Sequence, residues 1–239
     1  MALFTISDPH LSFSCDKPMD VFGGKWTNHA KKIEEYWRYL VNDGDTVVMP
    51  GDISWGMNVA EAKADFDFIE SLPGEKIILK GNHDYWWATA SKLDKFTSEQ
   101  GYKTISFLHN SAKYAQGFVI CGTRGWICED KMTQEDQKIL AREALRFGIS
   151  LNEAQKIRDG IRETESRDPE ILAFFHYPVL TLCARENPII PLINEAGIKR
   201  VFYGHLHNVD PDTLPSQWEG VKYTLVSCDC IAFTPVRIE

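Results

Sequence analysis

Short apolar runs alternate with amphipathic stretches through the first hundred residues. Residues 3–7 (L-F-T-I-S), 46–50 (T-V-V-M-P) and 76–80 (K-I-I-L-K) are too short for helices and carry apolar side chains on successive positions. That is the pattern of strands covered on both faces. Between the first two runs, Ile33, Trp37, Leu40 and Val41 fall on one face of a helix; across 58–71, Val59, Ala62, Phe66 and Ile69 do the same. An amphipathic helix between two buried strands is the crossover that parallel pairing requires. The pattern predicts β-α-β-α-β-α here, an α/β arrangement.

The rhythm then changes. Segments 103–108 and 114–121 read as two strands close enough to pair as a hairpin or meander. From 130 to 166 the chain is polar and helical, with Ile139, Leu140, Ala144, Leu145 and Phe147 on one stretch and Leu151, Ala154, Ile157 and Ile161 on the next. This predicts a pair of helices inserted between strands, placed as a lid that favours small molecules. Strands return at 171–175, 200–203, 221–226 and 231–236. With no internal repeat and no low-complexity linker, the expectation is one domain over 1–239 with a helical excursion at about 130–166.

Composition narrows the function classes. A chain of 239 residues, 44% hydrophobic and 25% charged, has the material for one large core and the make-up of an ordinary globular protein. Its net charge of -8 argues against a broad phosphate-binding surface of the kind nucleic acid attracts. Carboxylates clustered around divalent cations offset such charge locally, so a small phosphorylated substrate stays compatible. The start, M-A-L-F-T-I-S-D, lacks a basic segment followed by a long apolar run, and no stretch approaches a membrane span. A cytoplasmic protein without a membrane partner is expected. The six cysteines then read as reduced thiols. Cys228 and Cys230 make a C-D-C that is not a zinc spacing and reads as structural.

One kind of chemistry recurs where predicted strands end. Asp8 and His10 follow the first (D-P-H), Asp52 the second (G-D), and Asn82, His83 and Asp84 the third (G-N-H-D). His176 follows 171–175, and His205 and His207 follow 200–203 (G-H-L-H). Five of the seven histidines occupy such positions, and in open α/β sheets ligands bind outside the strand ends. As buried turn formers alone, so many acids and imidazoles would be electrostatically costly without cations. Carboxylates, imidazoles and an amide, without a thiolate, suit Mn, Fe, Zn or Co. Seven donors exceed one ordinary site but suit two ions sharing a bridging carboxylate, a pair that clamps the attacking and leaving oxygens of a displacement at phosphorus. Asn82 is then a neutral ligand and His83 faces the substrate.

The ordered set D-x-H, G-D, G-N-H-[DE], a later lone H, and G-H-x-H, spread from residue 8 to residue 207, resembles the calcineurin-like metallophosphoesterase family. K-P-M-D-x-F-G-G at 17–24, G-N-H-D-Y-W-W and C-G-T-R-G-W at 121–126 resemble a bacterial branch of predicted phosphohydrolases within it. The resemblance implies a four-layer αββα sandwich, two mixed β-sheets flanked by helices, with a dinuclear centre at the strand ends. It implies Asp8, His10 and His207 on one ion, Asn82, His176 and His205 on the other, and Asp52 bridging. It further implies a metal-bridging hydroxide as nucleophile and His83 as the residue that contacts the phosphate and helps the leaving group depart. The chain departs from the family at G-D-I-S-W, where many members have G-D-x-x-D. Trp55 stands where an aspartate would hold the catalytic histidine.

Single residues divide between roles. Asp84 reads as a turn former or a support for the ligands rather than a ligand. Arg124 could bind phosphate through its guanidinium fork or form a surface ion pair. Trp86 and Trp87 fit core packing better than a stacking platform, and His29 and His109 have no visible partner. The expected function is hydrolysis of a phosphomonoester or small phosphodiester. Two competing readings weaken on inspection: a binding scaffold that kept the fold but lost its chemistry would have lost ligands, and none is lost; a nuclease would carry a basic stripe. Natural substrate, choice of metal and oligomeric state carry no signature in the sequence.

Overall fold

Side-chain alternation along the central strands sorts the apolar residues into three layers of core. The computed structural model describes residues 1–181 and 187–239. Its first half runs β1 (Leu3–Thr5), α1 (His29–Leu40), β2 (Thr46–Met49), α2 (Lys63–Ser71), β3 (Glu75–Ile78), α3 (Ala90–Gln100) and β4 (Ile105–Phe107). The second half runs β5 (Lys113–Ala115), β6 (Phe118–Thr123), α4 (Gln134–Glu165), β7 (Ile171–Phe175), α5 (Ile189–Glu195), β8 (Arg200–Tyr203), β9 (Gln217–Trp218), β10 (Val221–Leu225) and β11 (Val236–Ile238). One sheet has the order β11-β1-β2-β3-β4 and the other β5-β6-β7-β8-β10-β9. Central neighbours pair parallel, and the edge strands β11, β5 and β9 pair antiparallel.

In the first sheet Phe4, Val47, Met49 and Ile78 face helices that present Ile33, Trp37, Phe66, Ile69, Leu93 and Phe96. Leu3, Val48, Ile77 and Leu79 point the other way, onto Ile120, Leu172, Phe174, Phe202 and Val226 of the second sheet. The outer face of that sheet, with Val119, Cys121, Ala173, Phe175 and Val201, receives Phe147, Leu151 and Ala154 of α4 and Ile189, Ile190 and Ile193 of α5. The result is the αββα sandwich: two face-to-face sheets with helices outside each.

Three sequence expectations are corrected. Segments 103–108 and 114–121 do not pair with each other: β4 adds in parallel to β3 in the first sheet, while the hairpin is formed within the second sheet by β5 and β6. The link between β4 and β5 carries the chain across the sandwich. Residues 130–166 are not an inserted helix pair. Thr133 and Asp136 form a capping box that starts a single helix of 32 residues, α4, and its buried stripe on β6 and β7 makes it the crossover those parallel strands need rather than a lid. Residues 231–233 are turn, not strand: Ala232 and Phe233 have left-handed backbones (φ 52° and 60°), and the strand comes later, at β11. Among the described residues no helix is long and apolar enough to cross a membrane. Cys15, Cys121, Cys228 and Cys230 carry free thiols; Cys183 lies outside the described residues.

Candidate metal centre

Parallel strands that all run the same way deliver their C-terminal ends to one rim of the sandwich. The first sheet brings Asp8 and His10 beyond β1, Asp52 beyond β2, and Asn82 and His83 beyond β3; the second brings His176 beyond β7 and His205 and His207 beyond β8. Four of these residues, Asp8, His10, Asp52 and His205, have left-handed backbones (φ 58°, 46°, 51° and 70°). Non-glycine residues in that region concentrate at functional sites, where the surroundings hold them. The motif glycines make room: a Cβ on Gly81 would overlap Asp52 Oδ1, and one on Gly204 would overlap Asp8 Oδ2 and Ser7 Oγ.

Backbone donors fix the two carboxylates. Asp8 accepts the N–H of His205 at 3.1 and 3.0 Å and the Ser227 hydroxyl at 3.1 Å. Asp52 Oδ1 accepts the N–H of His83 at 2.7 Å, leaving Oδ2 at 3.6 Å from His10 Nε2 and 3.5 Å from His176 Nε2. The imidazoles are oriented too. His176 Nδ1 lies 3.1 Å from the Pro50 carbonyl and His207 Nδ1 lies 2.7 Å from Asp229 Oδ1. These acceptors select the Nδ1–H tautomer and turn each Nε2 lone pair inward. His207 Nε2 thereby meets His10 Nε2 at 3.2 Å, and Asn82 Oδ1 is approached by His176 Nε2 at 2.6 Å and His205 Nδ1 at 2.9 Å. Donor atoms of Asp8, His10 and His207 lie within 4.8 Å of one another, as do those of Asp8, Asp52 and His176.

The electrostatics fit a cation. Burial pushes Asp8 up to about 6. Burial, with the charges of Asp84 and Asp8, raises Asp52 well above the usual carboxylate range. Burial and neighbouring imidazoles hold His10 and His176 well below the usual histidine value and bring His205 down to about 4. Among the described residues the ion-pair partners of Asp8 and Asp52 are all histidines. Buried carboxylates that resist ionisation and buried imidazoles that resist protonation are both relieved by a positive ion among them.

Two supporting residues stand out. Asp84 is fully buried and accepts backbone N–H groups from Asp52, Ile53 and Gly81 at 2.9, 2.8 and 2.7 Å and the Trp86 indole at 3.0 Å, tying the G-D loop to the G-N-H-D loop. Asp229 escaped the sequence reading. Burial alone would raise its pKa, but the His207 and Lys25 hydrogen bonds and the Asn208 N–H bring it to about 2. The signal existed: Asp229 follows β10 as Asp52 follows β2, but the flanking cysteines drew the reading.

His83 lines a cavity of about 260 Å³ over the centre, whose wall also includes Met19, Phe22, Trp26 and Trp55. Its ring packs on Trp55 at 4.4 Å between centroids, and its Nδ1 is buried with no hydrogen-bond partner. Trp55 also stacks on His10 at 5.0 Å. Arg124 does not line this cavity; it sits in an adjacent one with Nη2 3.6 Å from the buried Glu143. Trp86 packs edge-on against Phe66 in the core, and Trp87 contacts the ring of His109. His29 packs on Trp26 behind the centre.

The calcineurin-like phosphoesterase family model matches residues 1–209. No curated protein matches the chain. Among solved structures, the crystal structure of the protein of unknown function AQ665 from Aquifex aeolicus is similar, with 14% identity and a TM-score of 0.45 over 99% of this chain and 95% of that one. The family match spans every strand-end motif from Asp8 to His207, and the chain belongs to the calcineurin-like phosphoesterase family.

Proposed function

We propose that the protein is a metal-dependent phosphohydrolase that cleaves a small phosphomonoester or phosphodiester at a dinuclear centre. Asp8, His10 and His207 hold one ion, Asn82, His176 and His205 the other, and Asp52 lies between them. The observation that carries this reading is the convergence of two buried carboxylates, an amide and four imidazoles with no lysine or arginine, among the described residues, as an ion-pair partner of Asp8 or Asp52. Mn, Fe, Zn and Co all suit such donors, and ions of this kind supply Lewis acidity and a nucleophile available at neutral pH.

The chain's own groups do the rest. The Asp52 contact to the His83 N–H fixes that residue beside the centre, and its ring, which lines the cavity, would donate a proton to the departing oxygen. Trp55 supports the imidazole by packing in place of a carboxylate. Met19, Phe22, Trp26 and Trp55 offer an apolar wall to the organic part of an ester, and the small cavity favours a small molecule over duplex nucleic acid. Elemental analysis of purified protein should find two transition-metal ions per chain, and chelation should abolish phosphoesterase activity. Asp52→Asn should lose both metal and turnover; retention of both ions with near-normal turnover would show the dinuclear reading to be wrong.

A further inference from the structure

Beside the metal centre lies a second cavity of about 100 Å³, bounded by Lys80, His109, Arg124, Glu143 and Arg146. Its walls come from the ends of β3, β4 and β6 and from the inner face of α4. It shares backbone with the centre: Lys80 precedes Asn82 by two residues, and the Arg124 carbonyl accepts the N–H of His176 at 3.1 Å.

The single carboxylate here is fully committed. Glu143, completely buried, accepts from Arg146 Nη1 at 2.6 Å and from the Thr123 hydroxyl at 2.6 Å, and its Oε1 lies 3.6 Å from Arg124 Nη2. Three cations against one carboxylate leave a surplus of positive charge. The Arg124 guanidinium is pinned 4.5 Å above the Trp126 ring, yet its Nε is buried with no acceptor; His109 Nδ1 is likewise buried and unpartnered. Unsatisfied buried groups are costly and rare. Two of them around one small cavity with excess positive charge mark a place built for negative oxygen atoms, which a planar guanidinium and an ammonium recognise through charge-assisted hydrogen bonds.

We propose that this cavity is an oxyanion site taking a phosphate, sulfate or carboxylate group, and that it receives a second anionic group of the ester cleaved next door. The first half stands on the cavity alone; the second rests on the phosphohydrolase reading.

Calorimetric titration of the metal-loaded protein with sulfate tests the first half without any turnover. Arg146→Gln and Lys80→Gln, each checked for unchanged metal content and melting temperature, should weaken sulfate binding by about tenfold or more. Arg124→Lys, which keeps the charge but loses the fork, should weaken it less. Sulfate affinity equal in wild type and in both glutamine variants would overturn the site. The second half is read from kcat/KM for an alkyl bisphosphate against its matched monophosphate. Wild type should prefer the bisphosphate, and Arg146→Gln should erase the preference mainly through KM. No preference in wild type, alongside Arg146-dependent sulfate binding, would overturn the substrate role and assign the site to a free anion. Arg146-dependent sulfate binding in a protein that cleaves no phosphate ester would sink the phosphohydrolase reading and leave the oxyanion site standing.

Discussion

Asp229 and His207 share a 2.7 Å hydrogen bond through Nδ1, and Asp229 is itself anchored by Lys25 at 2.7 Å and by the Asn208 N–H at 2.8 Å. The carboxylate fixes which His207 nitrogen faces the centre and strengthens it as a donor. Asp229→Ala should therefore weaken metal affinity by about 10–100-fold, the usual effect of losing such a support. Titration against a competing chelator measures it. Unchanged affinity would mean that His207 needs no orienting partner.

Asp84 supplies a pH dependence. Burial raises its folded pKa to about 6, against an ordinary value of 3.8, despite the N–H groups it accepts. The folded state thus holds this proton where the unfolded state has released it. Its contribution to stability is fully present below about pH 4 and is lost as pH rises through about 6. In metal-free protein, the stability of wild type relative to the non-titrating Asp84→Asn should fall across that window by up to about 3 kcal/mol and level off above it. Urea denaturation at a series of pH values reads the difference; a flat difference would show that Asp84 ionises normally.

On the proposed reading, His83 serves the leaving group. Alkyl phosphates need a proton on departure far more than aryl phosphates, so His83→Ala should slow the former by roughly two to four orders of magnitude and the latter less. Burial lowers the His83 pKa. As a proton donor it loses effect when pH rises through that value, so activity should decline on the alkaline side at a lower pH than an ordinary histidine would give. Trp55→Asp, by adding a negative charge beside the ring, should move that decline to higher pH. Equal slowing of alkyl and aryl substrates by His83→Ala would make His83 a binding group instead.

Two glycines separate constraint from convenience. A Cβ on Gly204 would overlap Asp8 and Ser7, whereas one on Gly148, inside α4, would meet nothing within 4 Å. Gly204→Ala should cost about 1–3 kcal/mol and reduce metal content. Gly148→Ala should raise stability by about 0.5–1 kcal/mol. Thermal melting and metal analysis of both variants check the pair.

The convergence of most of the candidate donors is legible in the sequence because strand ends and donors coincide within a few residues: G-D, G-N-H-D and G-H-L-H each carry the glycine that backbone approach demands. Periodicity discloses the strands and most crossovers. The sequence misleads where tertiary contacts override local pattern. The apolar stretches 139–147 and 151–161 read as two helices, but Phe147, Leu151 and Ala154 bury against the second sheet and hold helix 134–165 continuous. The apolar run at 231–233 resembles a strand, yet it serves a turn whose Phe233 ring packs on Trp26 at 5.3 Å. The β4 to β5 link reads as a hairpin because neighbours in sequence usually pair, and nothing local marks the step from one sheet to the other.

Asp8 and His205 touch across 197 positions of sequence and belong to different sheets. With the proposed metal bound, a filled centre at that junction would act as a reversible staple: it would close a very long chain loop and lock the two halves of the sandwich at one edge, as a disulfide would, but under the control of free metal concentration. Withdrawing metal should therefore loosen the strand-end loops of both sheets together, so that hydrogen exchange rises in step at residues 8–11, 51–55, 81–84 and 204–208. The fold's rigidity at its working edge thus becomes a variable set by the solution, while the three apolar layers behind it stay closed.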